Sequence, residues 1–138
     1  MNQTQGIVKS YKIDDAAGVL QYVVVVAGGS DGNVKKPTAA DVAGFMGVTL
    51  EAQPNQYKGV AVQKTGIVRV KAGGAITRGD RLAINSTAGD VKSVEAIITA
   101  APGVASVRNL VGIAETSAAS GDIFPMWIQP YSVNIAVS

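Results

Sequence analysis

The 138-residue chain contains no cysteine and no histidine. Without thiols it has no disulfides, no thiolate nucleophile and no Cys/His metal site. Without imidazole, the Ser-His-Asp and Cys-His catalytic arrangements are excluded as well. The missing cysteine leaves the redox compartment open. Charge is scarce too, at 16% of residues against about 25% in ordinary soluble domains, while 47% are hydrophobic. A surface so poor in charge reads as partly covered by partners. Twelve basic against ten acidic residues leave a net charge of +2, and Lys35-Lys36 is the only adjacent basic pair. Nucleic-acid binding needs a denser positive footprint, so none is expected. The longest nearly apolar run, Val19 to Ala27, is interrupted by Gln21 and stops at Gly28-Gly29, far short of a membrane span. The polar start, MNQTQGIVKS, lacks the pattern of a signal peptide. The expectation is a soluble protein, made in a cytoplasm, that is not an enzyme and uses no metal or cofactor.

What the chain does have is β-formers punctuated by glycine. From Tyr57 to Val94, Val60, Val62, Ile67, Val68 and Val70 alternate with breaks at Gly66, Gly73-Gly74, Gly79-Asp80 and Gly89-Asp90, the signature of short strands and tight turns. Val19 to Ala27, Phe45 to Leu50, Val107 to Ala114, Ile123 to Gln129 and Tyr131 to Val137 read as further strands. Glu95 to Ala101 fits a strand or a short helix. Pro125 puts its strand at an edge or a bulge. Thr38 with Asp41 resembles a capping box and predicts one helical turn over Ala39 to Ala43. Residues 1–10 read as an extended arm, and residues 11–138 as a single β-rich domain, a compact barrel. One internal echo is visible: Gly44 to Glu51, GFMGVTLE, resembles Asn109 to Thr116, NLVGIAET. It suggests two similar strand-and-turn units without a solenoid period.

No constellation for chemistry emerges. Asp14-Asp15 is the only adjacent carboxylate pair, and strand neighbours point apart. Asp80, Asp90, Glu95, Glu115 and Asp122 are scattered, mostly beside glycine, where acidic residues serve turns. Gly28 to Gly32 lacks the Gly-Lys-Ser/Thr ending of a phosphate loop and reads as a hairpin turn. Arg78-Gly79-Asp80 spells an adhesion tripeptide. A simpler reading makes Gly79 a turn residue and Asp80 its cap, with Ile76 and Leu82 pointing into the core. For partner contacts, Gln3, Gln5, Ile7 and Val8 of the arm and the aromatics Phe124 and Trp127 are the candidates, a core role for the tryptophan fitting equally well.

Val70 to Leu82, VKAGGAITRGDRL, followed by Gly89-Asp90-Val91 and by Val111 to Thr116, VGIAET, resembles the small decoration, or head cement, proteins of tailed-bacteriophage capsids. The likeness runs from about Lys58 to Ile128. It implies a β-clip, tulip-like domain that sits on the outer surface of a phage head as a virion component. It further implies binding to the major capsid protein, stabilisation of the contacts between its subunits, and self-association as a homotrimer or homodimer. No residue-level binding motif carries over. Met1 to Gln56 exceed the minimal members and form an added lobe. The alternative, from a different class, is a receptor- or glycan-binding β module of a fibre or surface protein. Clustered aromatics would favour it, and this chain has one Trp, four Tyr and two Phe.

Overall fold

Four successive valines, Val23 to Val26, are all buried, which a strand with one wet face cannot achieve. Val23 and Val25 enter a cluster with Tyr11, Ile13, Val34, Val60 and Val62. Val24 and Val26 point the other way, into a cluster with Val48, Val68, Val70, Leu82, Ile84, Phe124 and Met126. The strand therefore lies between two cores, and it joins them. Fully burying one valine contributes about 1.5–3 kcal/mol, so this short run is a principal anchor of the fold.

The computed structural model describes residues 6–95 and 106–135. It is mainly β, as the sequence predicts. The strands are β1 (Val8–Ile13), β2 (Val24–Ala27), β3 (Asn33–Lys35), β4 (Phe45–Thr49), β5 (Gly59–Gln63), β6 (Ile67–Lys71), β7 (Arg81–Ile84), β8 (Val91–Ser93), β9 (Ser106–Ala114) and β10 (Ile123–Ile135). The first five close into a barrel in the order β1-β3-β2-β4-β5, and the rest form a sheet in the order β6-β10-β9-β7-β8. Residues 64–66 carry the chain from one to the other.

These two orders are the same order. Mapping β1 to β5 onto β6 to β10 in chain sequence turns the barrel into the sheet, and the registers agree residue by residue. Tyr11 pairs with Val60 as Val70 pairs with Phe124. Ala27 pairs with Val34 as Ile84 pairs with Val91. Both units carry a bulge at the same place: Met46 is skipped between Phe45 and Gly47, and Val111 between Leu110 and Gly112. The loops repeat as well. Val19 and Gln53 exchange backbone hydrogen bonds as Ile76 and Ala118 do, and Tyr22 N donates to Thr49 O as Gly79 N donates to Ala114 O. Tyr57 N donates to Ile13 O as Gly121 N donates to Ala72 O. Tyr22 and Tyr57 adopt φ of 65° and 62°, and their counterparts Gly79 and Gly121 adopt 90°. The molecule is a tandem repeat of one five-stranded unit. The echo seen in the sequence is β4 against β9, the two bulged strands.

The units differ in closure. In the first, β1 lies parallel to β3 through Lys12↔Asn33 and Ile13↔Val34. In the second, the equivalent seam keeps one bridge, Ala72↔Val91. There the first unit enters: Lys71 N donates to Tyr22 O at 3.0 Å, and Val24 N donates to Gly89 O at 2.8 Å. The open inner face of the second unit thus receives β2 and β4 of the first, which is why one core holds residues of both.

Several sequence expectations need correction. Residues 39–43 form an irregular turn in place of a helical one. Asp41 sits at φ 57°, outside right-handed helical space, because its N–H is drawn to Ile84 O and its carboxylate to Lys92. Strand structure in Val19 to Ala27 begins only at Val24, after the Leu20–Tyr22 turn. The two strands expected at the end of the described chain are one strand, β10, with a bulge between Ile128 and Tyr131. Pro125 lies between paired neighbours and not at an edge: β10 is flanked by β6 and β9. It fits because β9 ends opposite Met126, so the side of β10 that Pro125 turns toward β9 meets only the Glu115 N–H, which its carbonyl accepts at 3.1 Å. Of the stretch read as an arm, Val8 to Ser10 begin β1, paired with Gln63, Val62 and Ala61. Met1 to Gln5, residues 96–105 and residues 136–138 lie outside the described residues.

Candidate interface on the second sheet

Alternation along β6 and β10 separates two faces. Val68, Val70, Phe124, Met126 and Ile128 are buried, so Ile67, Arg69, Lys71, Ile123, Pro125 and Trp127 share the opposite, outer face. Phe124, expected at an interface, is 2% exposed and belongs to the core. One residue of parity separates it from Trp127, which is 44% exposed. The sequence alternation alone could have divided the two.

Register extends the outer face across the sheet. Ile67 lies opposite Trp127, Trp127 opposite Ile113, and Ile113 opposite Arg81, giving a row of three apolar residues ended by a cation. The next row holds Arg69 opposite Pro125, with Glu115 beyond it, tied by its backbone to Pro125. The third pairs Lys71 with Ile123, which is 43% exposed. Arg81 is held in place: its Nε reaches Glu95 Oε2 at 2.8 Å and its second guanidinium nitrogen reaches Oε1 at 2.9 Å. That fork-like pairing holds the Glu95 carboxyl below its ordinary value, against an opposing desolvation by burial. Ile67, Ile113, Arg69 and Glu115 were not among the contact residues expected from the sequence, because only register shows that strands distant in the chain align them.

The first unit has the same face and covers it. The counterparts of Ile67, Trp127, Ile113 and Arg81 are Val8, Gln63, Val48 and Val24, and the last three are buried. Gln63 Nε2 donates to the carbonyls of Thr65 and Ile67 at 2.9 and 3.0 Å, tying the first unit to the start of the second. Val8 and its neighbour Ile7 remain 49% and 63% exposed. Ile7 is anchored by its backbone, donating to Thr65 Oγ1 and accepting from Lys64 N.

The acidic and glycine-rich motifs serve turns. Asp14 accepts from Gly29 N and Asn33 Nδ2, both at 2.6 Å, while Asp15 accepts from Lys36 N at 2.8 Å. The two carboxylates act apart. Asp80 accepts from Thr77 N at 2.9 Å and closes the turn around Gly79, with Ile76 and Leu82 buried as expected. Among the described residues no group of three or more acidic side chains converges on a point.

No family model matches the chain, and no curated protein matches its sequence. Among solved structures, the fold is similar to the crystal structure of head fiber gp8.5 N base in bacteriophage phi29. The TM-score is 0.63 at 17% identity, over 89% of this chain and 95% of that one. At so low an identity the likeness is one of fold.

Proposed function

We propose that this protein is a structural, non-catalytic component of a tailed-phage head, attached to the outer surface of the shell through the major capsid protein. The observation that carries the reading is the fold shared with a head fiber base over nearly the whole of both chains. The resemblance of Val70 to Leu82 to capsid decoration proteins supports it independently. So does the outer sheet face, where aromatic and branched apolar side chains stand in the open as they do at protein interfaces. Repetition of modest contacts around a symmetric shell multiplies their strength. In the cement form of the proposal, the protein bridges neighbouring capsid subunits and opposes the pressure of packaged DNA.

The fiber likeness favours a second form, in which the chain is the base of a projecting fiber and stabilises nothing. Co-sedimentation of the purified protein with procapsids and with expanded heads tests both. Binding to expanded heads is the expected result, and binding to neither particle would sink the proposal. Heat or osmotic shock then separates the forms: decorated heads survive longer under the cement reading and no longer than bare heads under the fiber reading.

A further inference from the structure

In the first unit, the face built from β4, β5 and β2 is covered by the neighbouring unit; in the second, the corresponding face is open. A face of this kind is made to be packed on, and the pattern of its charges indicates by what. About Pro125 the face is close to symmetric. Ile123 and Trp127, 43% and 44% exposed, flank it along β10 on the same side of the sheet. Arg69 lies beside it on β6 and Glu115 beside it past the end of β9. Neither Arg69 nor Glu115 has an ion-pair partner among the described residues.

We propose that this face binds a second copy of the chain about a two-fold axis that lies in the interface, parallel to β10 and over Pro125. Such an axis keeps the strand direction and reverses the left-to-right order. Arg69 of each copy then meets Glu115 of the other, while Trp127 lies over Trp127 and Ile123 over Ile123. The contact is isologous, so the Arg69–Glu115 pair occurs twice, and it closes on itself without propagating. A partner bearing only positive or only negative charge would leave one of the two side chains opposed by its own sign. A second copy satisfies both. The inference goes beyond the capsid reading and does not rest on it, since it is tested in solution without heads.

Sedimentation velocity over a concentration series is the test, with emission of the single tryptophan as a second readout. The expected result is a monomer–dimer equilibrium, with emission moving to shorter wavelength as Trp127 leaves water. Trp127→Glu should give monomer at every concentration. Arg69→Glu and Glu115→Arg should each weaken the dimer at least tenfold, and the double variant should recover it. Both positions are on the surface, so this exchange remains informative if Trp127→Glu folds poorly. A wild-type chain that stays monomeric overturns the proposal, as does a dimer indifferent to these changes. A monomer whose head binding is abolished by Trp127→Glu also overturns it and assigns the face to the capsid protein.

Discussion

The two units of this protein share strand order, register and bulges, yet one is a closed barrel and the other an open sheet. The difference shows in matched residues. Gly32 and Gly89 hold the same turn at φ 82° and 84°. A side-chain carbon at Gly32 would meet open space, whereas at Gly89 it would come within 2.8 Å of Val23 Cβ and Val24 O. The second unit gave up its seam to admit the first. A second matched set shows how the units were tuned separately. In the first, Asp14 fills the space beside Gly28; in the second, Gly73 stands in the place of Asp14, and Asn85 and Asp90 occupy that space instead. Side chain and vacancy have changed places across one turn.

Four measurements can break or sharpen this comparison. The largest effect is expected from the shared core. Leu82→Ala removes a side chain with no exposed surface and should cost about 2–5 kcal/mol. Because that cluster includes Val24, Val26 and Val48 of the first unit, far-UV circular dichroism and tryptophan fluorescence should report one coincident unfolding transition. Two separated transitions would show that the units fold independently.

The glycine pair comes next. Both alanine variants bear the left-handed backbone penalty of about 1–2 kcal/mol, but only Gly89→Ala adds overpacking, worth about 1–3 kcal/mol. Chemical denaturation should therefore rank Gly89→Ala well below Gly32→Ala in stability. Equal losses would mean that the first unit does not occupy the seam. Smaller again is Asp14→Ala, which strands Gly29 N and Asn33 Nδ2 and should lower stability by about 1–2 kcal/mol. The smallest effect concerns Arg81 and Glu95, each about a third exposed, where the pair contributes about 1 kcal/mol at most. The folded carboxyl titrates below the ordinary 4.5. Its contribution is therefore present above that pH and is lost as pH falls through the lowered value. Glu95→Gln should lower stability at neutral pH by about 1 kcal/mol at most, converge with the parent protein in acid, and so flatten the acid limb of the stability curve. A steeper acid limb in the variant would contradict this sign.

Much of the fold was legible along the chain because β structure announces itself locally. Gly66, Gly79 and Gly89 punctuate the strands where expected, and Asp80 caps the turn assigned to it. The duplication surfaced only at β4 and β9, where Gly47 and Gly112 are both pressed against the adjoining strand and so resist replacement. Elsewhere the equivalent positions differ: Tyr11 answers to Val70, Val25 to Leu82, Thr49 to Ala114. Burial asks for an apolar or well-bonded side chain, not for a particular one, so common structure left little common sequence. A further echo, Gly32-Asn33-Val34-Lys35 against Gly89-Asp90-Val91-Lys92, is a signal that could have been read. The candidate face was half legible. Trp127 was marked, but Phe124 was put beside it because the alternation of β10 was not carried through.

The sequence by itself determined that the chain would be β-rich, where most of its turns fall, and that imidazole and thiol chemistry are excluded, because these follow from composition and from neighbours within a few residues. The absence that opened the reading, of charge, also carries through: opposite charges as few as Arg69 and Glu115 can define an axis only on a face this bare. Which unit closes, which stays open, and which rows of side chains meet water were decided by the tertiary structure alone. Those outcomes depend on the register between strands far apart in the chain, and on one unit's valines filling the other's core.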